Sequence, residues 1–167
     1  MIIVLLKRLL EMLALVTIQV LVCNHVHLMN YATPMLYVMF LAHLPLNANR
    51  IGNLLWGFSI GLLVDVFSNT PGVSSAAMTM TAMIQWPLLK VSAPKDCIEE
   101  MVPSYKTMGR WNHTRYVFLL ALTHHLVFYA LESFTFFHIK DTLIAFASSL
   151  ALSLVIILTL ETLRNGK

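Results

Sequence analysis

Apolar residues fall along this chain in six blocks, approximately 6–26, 31–46, 51–69, 73–89, 116–137 and 142–163, separated by short polar breaks. Each block is near the roughly 17–25 residues that carry a helix across a bilayer. The first block contains Glu11, Gln19 and Asn24. The second is short, opens at Thr33-Pro34 and closes near Pro45. A re-entrant second block would invert the topology of everything after it. The fourth is rich in Ala, Ser, Thr and Met, and the 90–115 connector is the one sizeable loop. The pattern predicts an all-α integral membrane protein, a single transmembrane domain over 1–167 built as a bundle of six helices.

The third and fourth blocks meet within residues 57–72, an apolar run with small residues and one carboxylate at a four-residue spacing. Gly57, Gly61 and Asp65 stand four residues apart, so they share one helix face. Glycines at this spacing let another helix backbone come close, the small-xxx-small packing of membrane helices. Asp65 is the first charge after Arg50, and a carboxylate at this depth is expected to face protein or water rather than acyl chains. The helix is expected to stop at Ser68-Asn69-Thr70-Pro71-Gly72, and a second one to begin at once. Gly57, Gly61 and Gly72 are therefore predicted to form a helix-packing or partner-binding face.

Composition removes the soluble alternative. The chain is 58% hydrophobic and 11% charged, with a mean hydropathy of +0.75, against about 25% charged residues in a soluble domain. The placement of charge also tests the six-block reading. With both termini cytoplasmic, one side receives Lys7, Arg8, Arg50, Lys90, Lys95, Lys106, Arg110, Arg115, Arg164 and Lys167, and the other only Lys140. That asymmetry obeys the positive-inside rule and predicts a multi-pass protein, N-in and C-in. The N-terminal run lacks a small-x-small cleavage site and reads as an uncleaved first helix. In this topology Cys23 and Cys97 lie on opposite sides and cannot pair. The 90–115 loop could dock a cytoplasmic partner or anionic headgroups, or be a solvated connector.

Depth groups the remaining polar residues. Asn24, Asp65 and Glu132 each fall roughly five to seven residues past midspan of an outward-running helix, about 8–10 Å. Ser75 and Thr79 on the fourth helix, and Ser148-Ser149 on the sixth, reach a similar level. Asn24, Asp65, Glu132, Ser75 and Ser148 are predicted to converge on a polar pocket in the outer half of the bilayer. His125, Tyr129 and Glu132 share a face of the fifth helix, with His124 beside it. Such a stripe could relay protons or bind a ligand, but interhelical hydrogen bonding is the plainer role. His124 and His125 diverge by about 100° and cannot chelate together. No cofactor or metal is expected, and no catalytic motif is recognisable.

The helix–Asp–turn–helix pattern, with Gly61-Leu62-Leu63-Val64-Asp65 followed by Gly72, resembles the central signature of the bacterial rod shape-determining MreD family. Gln19-Val20-Leu21 with Asn24, Thr33-Pro34 and Pro45 lend weaker support. The resemblance implies a noncatalytic inner-membrane scaffold of the cell-elongation machinery that serves peptidoglycan synthesis. It implies work beside MreC, the MreB filament, and a RodA-type glycosyltransferase with its transpeptidase. It also implies a fold related to the substrate-binding subunits of energy-coupling-factor vitamin transporters, which makes a vitamin-like uptake subunit the alternative. Those subunits dock through an Ala-x-x-x-Ala face on the first helix. Here Leu10, Ala14 and Ile18 occupy it, which favours the scaffold.

Overall fold

The structure is a computed structural model, and it describes residues 2–23, 32–44, 50–93, 102–133 and 139–165. Among these, 86% are helical and no strand is present. Seven helices follow in order: α1 (Ile2–Leu21), α2 (Val38–Ala42), α3 (Arg50–Ser68), α4 (Val73–Ser92), α5 (Tyr105–Met108), α6 (Arg110–Glu132) and α7 (Ile139–Asn165). Three of them, α3, α6 and α7, are long and apolar enough to cross a membrane, with mean hydropathies of 1.5, 1.2 and 2.5 over their most apolar stretches. The exterior suits lipid: Ile51, Val66, Phe67, Met83, Val155 and Leu163 are all more than 60% exposed.

The long helices run alternately up and down. Gln85 of α4 reaches Tyr116 near the start of α6, and Tyr129 near the end of α6 reaches Ser149 of α7. One end therefore gathers the start of α1, the start of α3, the end of α4, the start of α6 and the end of α7. Lys7, Arg8, Arg50, Lys90, Arg110, Arg115 and Arg164 all lie toward this end, called here the basic end.

Two boundaries differ from the sequence pattern. The fifth block begins its helix at Arg110 rather than 116, and α4 continues to Ser92. The 90–115 connector is correspondingly shorter and holds α5, whose first turn is closed by a reciprocal Ser104–Thr107 capping box. His113, read from sequence as loop, is thereby fully buried, with its ring 4.7 Å from that of Tyr105.

The larger departure is the second block, expected as a helix over 31–46. Its described part contains only the five-residue α2, entered through non-helical residues 32–37. Pro34 explains the break: it has no N–H to donate and holds Thr33 away from helical geometry. The segment threads through the middle of the bundle, and Met35 through Ala42 are all buried. Its backbone groups are met by side chains from the surrounding helices. Thr33 N–H donates to Ser149 Oγ at 2.9 Å, Met35 N–H to Ser153 Oγ at 2.8 Å, and Leu36 N–H to Gln19 Oε1 at 2.8 Å. Gln19 Nε2 donates to the Pro34 carbonyl at 2.9 Å, and Gln85 Nε2 to the Leu41 carbonyl at 2.7 Å.

The α3–α4 hairpin explains the glycines. A Cβ on Gly61 would stand 2.5 Å from Ser75 Cα and 2.6 Å from the Ser74 carbonyl oxygen, inside the backbone of α4. One on Gly57 would meet Ala82 Cβ at 3.1 Å and the Met78 carbonyl oxygen at 3.2 Å. Both glycines are thus taken up by packing within the chain. Gly72 is not part of that face. It sits in the turn with φ +88°, next to open space, at the N-cap of α4. We predict that Gly61→Ala lowers stability by about 3 kcal/mol, the upper end for overpacking, and Gly57→Ala by clearly less. Thermal unfolding of the detergent-solubilised protein measures both, and equal midpoints would contradict the packing described.

Candidate functional site

The polar interior forms two levels, one toward each end of the bundle. At the end opposite the basic one, a cavity of about 280 Å³ lies between α1, the 33–37 segment, α3, α4 and α6. Gln19, Thr33, Tyr37, Ser74, Tyr129 and Glu132 are among its lining residues. Tyr37 and Tyr129 are buried, while Glu132 is exposed at the rim. Tyr129 Oη lies 2.8 Å from Ser149 Oγ, and Tyr37 Oη 2.9 Å from His124 Nε2. Hydroxyls and an amide inside, with a carboxylate at the mouth, can bind a small polar or cationic molecule by hydrogen bonds.

The predicted pocket residues separate here. Glu132 lines the cavity. Asp65 and Ser75 are buried beside it but engaged elsewhere: one Asp65 oxygen accepts from Ser74 N–H at 2.8 Å and Thr70 Oγ1 at 2.9 Å, the other from Ser75 N–H at 2.9 Å. Asp65 thus closes the N-terminus of α4, whose own N-cap, Gly72, has no side chain to offer. A carboxylate also suits the positive end of the helix dipole. Ser148 is not a lining residue; its hydroxyl donates to the Ile144 carbonyl of its own helix at 2.7 Å. Ser149, one residue and about 100° further round the helix, turns inward instead. Asn24 lies outside the described residues, as does Cys97.

On the α6 stripe, His125 and Tyr129 make hydrogen bonds to α7, while Glu132 stands at the cavity rim. His125 Nδ1 lies 2.8 Å from the Ala121 carbonyl and Nε2 3.1 Å from Ser153 Oγ, so His125 and Tyr129 orient the two serines that hold residues 33 and 35. On α7 these serines belong to a stripe of four-residue steps, Ser149, Ser153, Ile157 and Glu161, all buried.

The second level was not foreseen from the sequence. Toward the basic end, His43 Nδ1 lies 2.6 Å from Glu11 Oε1 and Nε2 lies 2.5 Å from Glu161 Oε1. Glu161 Oε2 is 3.5 Å from His113 Nε2, and Arg164 Nη1 lies 2.7 Å from His43 Nε2. An ionised carboxylate only accepts hydrogen bonds, so a ring between two of them carries a proton on each nitrogen, or one carboxyl is protonated. With His43 charged, both its N–H groups go to the carboxylates, and Arg164, itself only a donor, lies against the ring and adds charge balance without a hydrogen bond to it. The cluster ties α1, the central segment, α6 and α7 together. A signal existed: Glu11 and Glu161 each sit just inside the end of an apolar block, where an ionisable residue needs a partner.

Comparison of the chain with family models, curated proteins and solved structures finds no match.

Asp65→Leu strips two α4 N–H groups of their acceptor, at about 1–3 kcal/mol each, whereas Asp65→Asn keeps one oxygen and costs less. A wild-type unfolding midpoint for the Leu variant would refute the capping role. At the other level, the Glu161 side chain is 2% exposed and that of Glu11 36%. Glu161→Leu should therefore cost about 3–5 kcal/mol by leaving buried charge uncompensated, and Glu11→Leu under about 1 kcal/mol. Urea or thermal melts of the two variants side by side provide the check.

Proposed function

We propose that the chain is a noncatalytic scaffold of the bacterial cell-elongation machinery, resembling the MreD family. In this reading it lies in the inner membrane with six passes and both termini cytoplasmic. It binds an MreC-like protein and links it to the MreB filament and to the RodA-type glycosyltransferase and its transpeptidase. The observation that carries the reading is the α3–α4 hairpin. The Gly-Leu-Leu-x-Asp segment and the following glycine, on which the resemblance rests, form one unit: Gly61 admits α4, Asp65 caps it, and Gly72 turns the chain.

Further support comes from the path of residues 33–44. They run antiparallel to α1, from Gln19 contacting Pro34 and Leu36 to Glu11 contacting His43, and parallel to α7, from Ser149 to Glu161. Counted as a traverse, this segment makes six passes with α1, α3, α4, α6 and α7 and brings the basic residues to one side, in keeping with the positive-inside rule.

The cavity of about 280 Å³ specifically favours the alternative, a binding subunit for uptake of a small vitamin-like molecule. Two measurements separate the readings. For the scaffold, the chain co-purifies with a co-expressed MreC-like protein, and its depletion turns rods into spheres. For the uptake subunit, a vitamin stabilises the purified chain, by about 2.7 kcal/mol at a hundredfold excess over Kd. We expect co-purification and no such stabilisation. Strong stabilisation without co-purification would replace the scaffold by the transporter.

A further inference from the structure

At the basic end of the α3–α4 hairpin two cations gather on one ring. The Arg50 guanidinium carbon lies 4.5 Å from the centroid of the Trp86 indole, and Lys90 Nζ lies 3.5 Å from it. Cation–π attraction holds each in place, yet it does not neutralise them. Among the described residues neither has a carboxylate within ion-pair distance, since every ion pair there involves His43 or His113. Two cations on one indole concentrate positive charge at this end of the hairpin, and an anion beside the ring would offset it.

A depression of about 410 Å³ opens beside them, with Arg50, Asn53, Gln85, Trp86 and Pro87 in its wall. Its polar groups supply acceptors as well as cations. Gln85 Oε1 is buried without a hydrogen-bond partner among the described residues, and Pro87 has no N–H to give the Met83 carbonyl. Leu54, Ala82 and Met83 make the rest of its wall apolar, and exposed apolar side chains flank it on both helices: Ile51 and Leu55 on α3, Met83 and Met80 on α4, 64%, 61%, 71% and 49% exposed. A free phosphate would use the cations and leave this apolar surface unused. An amphiphile with a phosphate, hydroxyl donors and acyl chains would use all three features.

We propose that this end of the hairpin is a binding site for an anionic glycerophospholipid of the surrounding leaflet. Arg50 and Lys90 hold the phosphate, the polar wall of the depression takes the hydroxyl-bearing headgroup, and an acyl chain lies against Leu54 and Met83. The proposal rests on the membrane reading of the fold and not on the identity of any protein partner.

The test uses the full chain in detergent, titrated with dioleoyl-phosphatidylglycerol, dioleoyl-phosphatidylcholine or inorganic phosphate, with binding read by native mass spectrometry and by the thermal midpoint. Phosphatidylglycerol is expected to bind at least tenfold more tightly than phosphatidylcholine, and phosphate to leave the midpoint unchanged. Removing the charges in Arg50→Gln/Lys90→Gln is expected to erase the preference, since each basic group near an anionic lipid contributes roughly fivefold. Lys7→Gln/Arg8→Gln, which removes equal charge from the same end, is expected to keep it. Equal binding of the two lipids, a preference surviving in the Arg50/Lys90 variant, or an equal response to phosphate would each overturn the site. A photoreactive phosphatidylglycerol on the wild-type protein gives a second measurement independent of variant folding. Adducts are expected on 50–55 and 80–90, and adducts confined to other helices would overturn the proposal.

Discussion

A stretch of non-helical backbone lies at the centre of the bundle, and its unpaired groups must be satisfied without water. Peptide N–H and C=O groups left unbonded in such a setting cost several kcal/mol each. Between Thr33 and Leu36, the one residue without an N–H is Pro34, and the other three N–H groups are taken by Ser149, Ser153 and Gln19. This requirement explains why an otherwise apolar core carries so many buried polar side chains beneath an apolar exterior. It also explains where the polar residues stand: one glutamine on α1, another on α4, and two serines one turn apart on α7. The tyrosine and histidine on α6 buttress those serines. The interior polarity is first of all a device for holding one irregular segment.

The two ends of the bundle are locked by different chemistry. Away from the basic end, Asp65 fixes the α3–α4 turn through three hydrogen bonds, leaving the cavity beside it bounded by Ser74 and Thr70. At the basic end, His43 is gripped between carboxylates from α1 and α7. The buried pair with Glu161 adds little net stability compared with apolar packing but strongly penalises losing one partner, whereas the half-exposed Glu11 contributes less. Their effect here is on register, because only one longitudinal placement of the segment puts Leu36 at Gln19 and His43 at Glu11 together.

What could be read from the sequence was local. Gly57, Gly61 and Asp65 announce themselves by spacing, and Asn69-Thr70-Pro71-Gly72 by turn chemistry, so the hairpin was legible almost residue by residue. The second block was legible as apolar but not in form: hydropathy reports burial, and a buried coil and a buried helix look alike to it. Depth alone grouped Asn24, Asp65, Glu132, Ser75 and Ser148, but depth leaves rotation about the helix axis undetermined. Ser148 and Ser149 share a level and point to different neighbours for that reason. The His43–Glu161 contact joins positions 118 residues apart, and no periodicity in one sequence relates them.

The consumption of small residues inside the chain bears on how it could join others. Helices in lipid gain nothing from hydrophobicity itself and associate through close packing or polar contacts. Gly57 and Gly61 lie against α4, so neither offers a close-approach face to a second protein. The exposed side chains of α1 and α7, such as Leu6, Leu10, Leu143 and Val155, are large and branched. A partner helix would find them hardly different from lipid. In the proposed scaffold, selectivity between partners therefore falls to the polar ends of the bundle. Candidate contacts there are Glu132 at the cavity rim and, at the basic end, Trp111 beside Arg110, whose indole is 79% exposed. An aromatic ring next to a guanidinium, presented at a surface, is the pairing protein interfaces favour. A lipid held by Arg50 and Lys90 would sit at that same end, next to the region where partner and membrane meet.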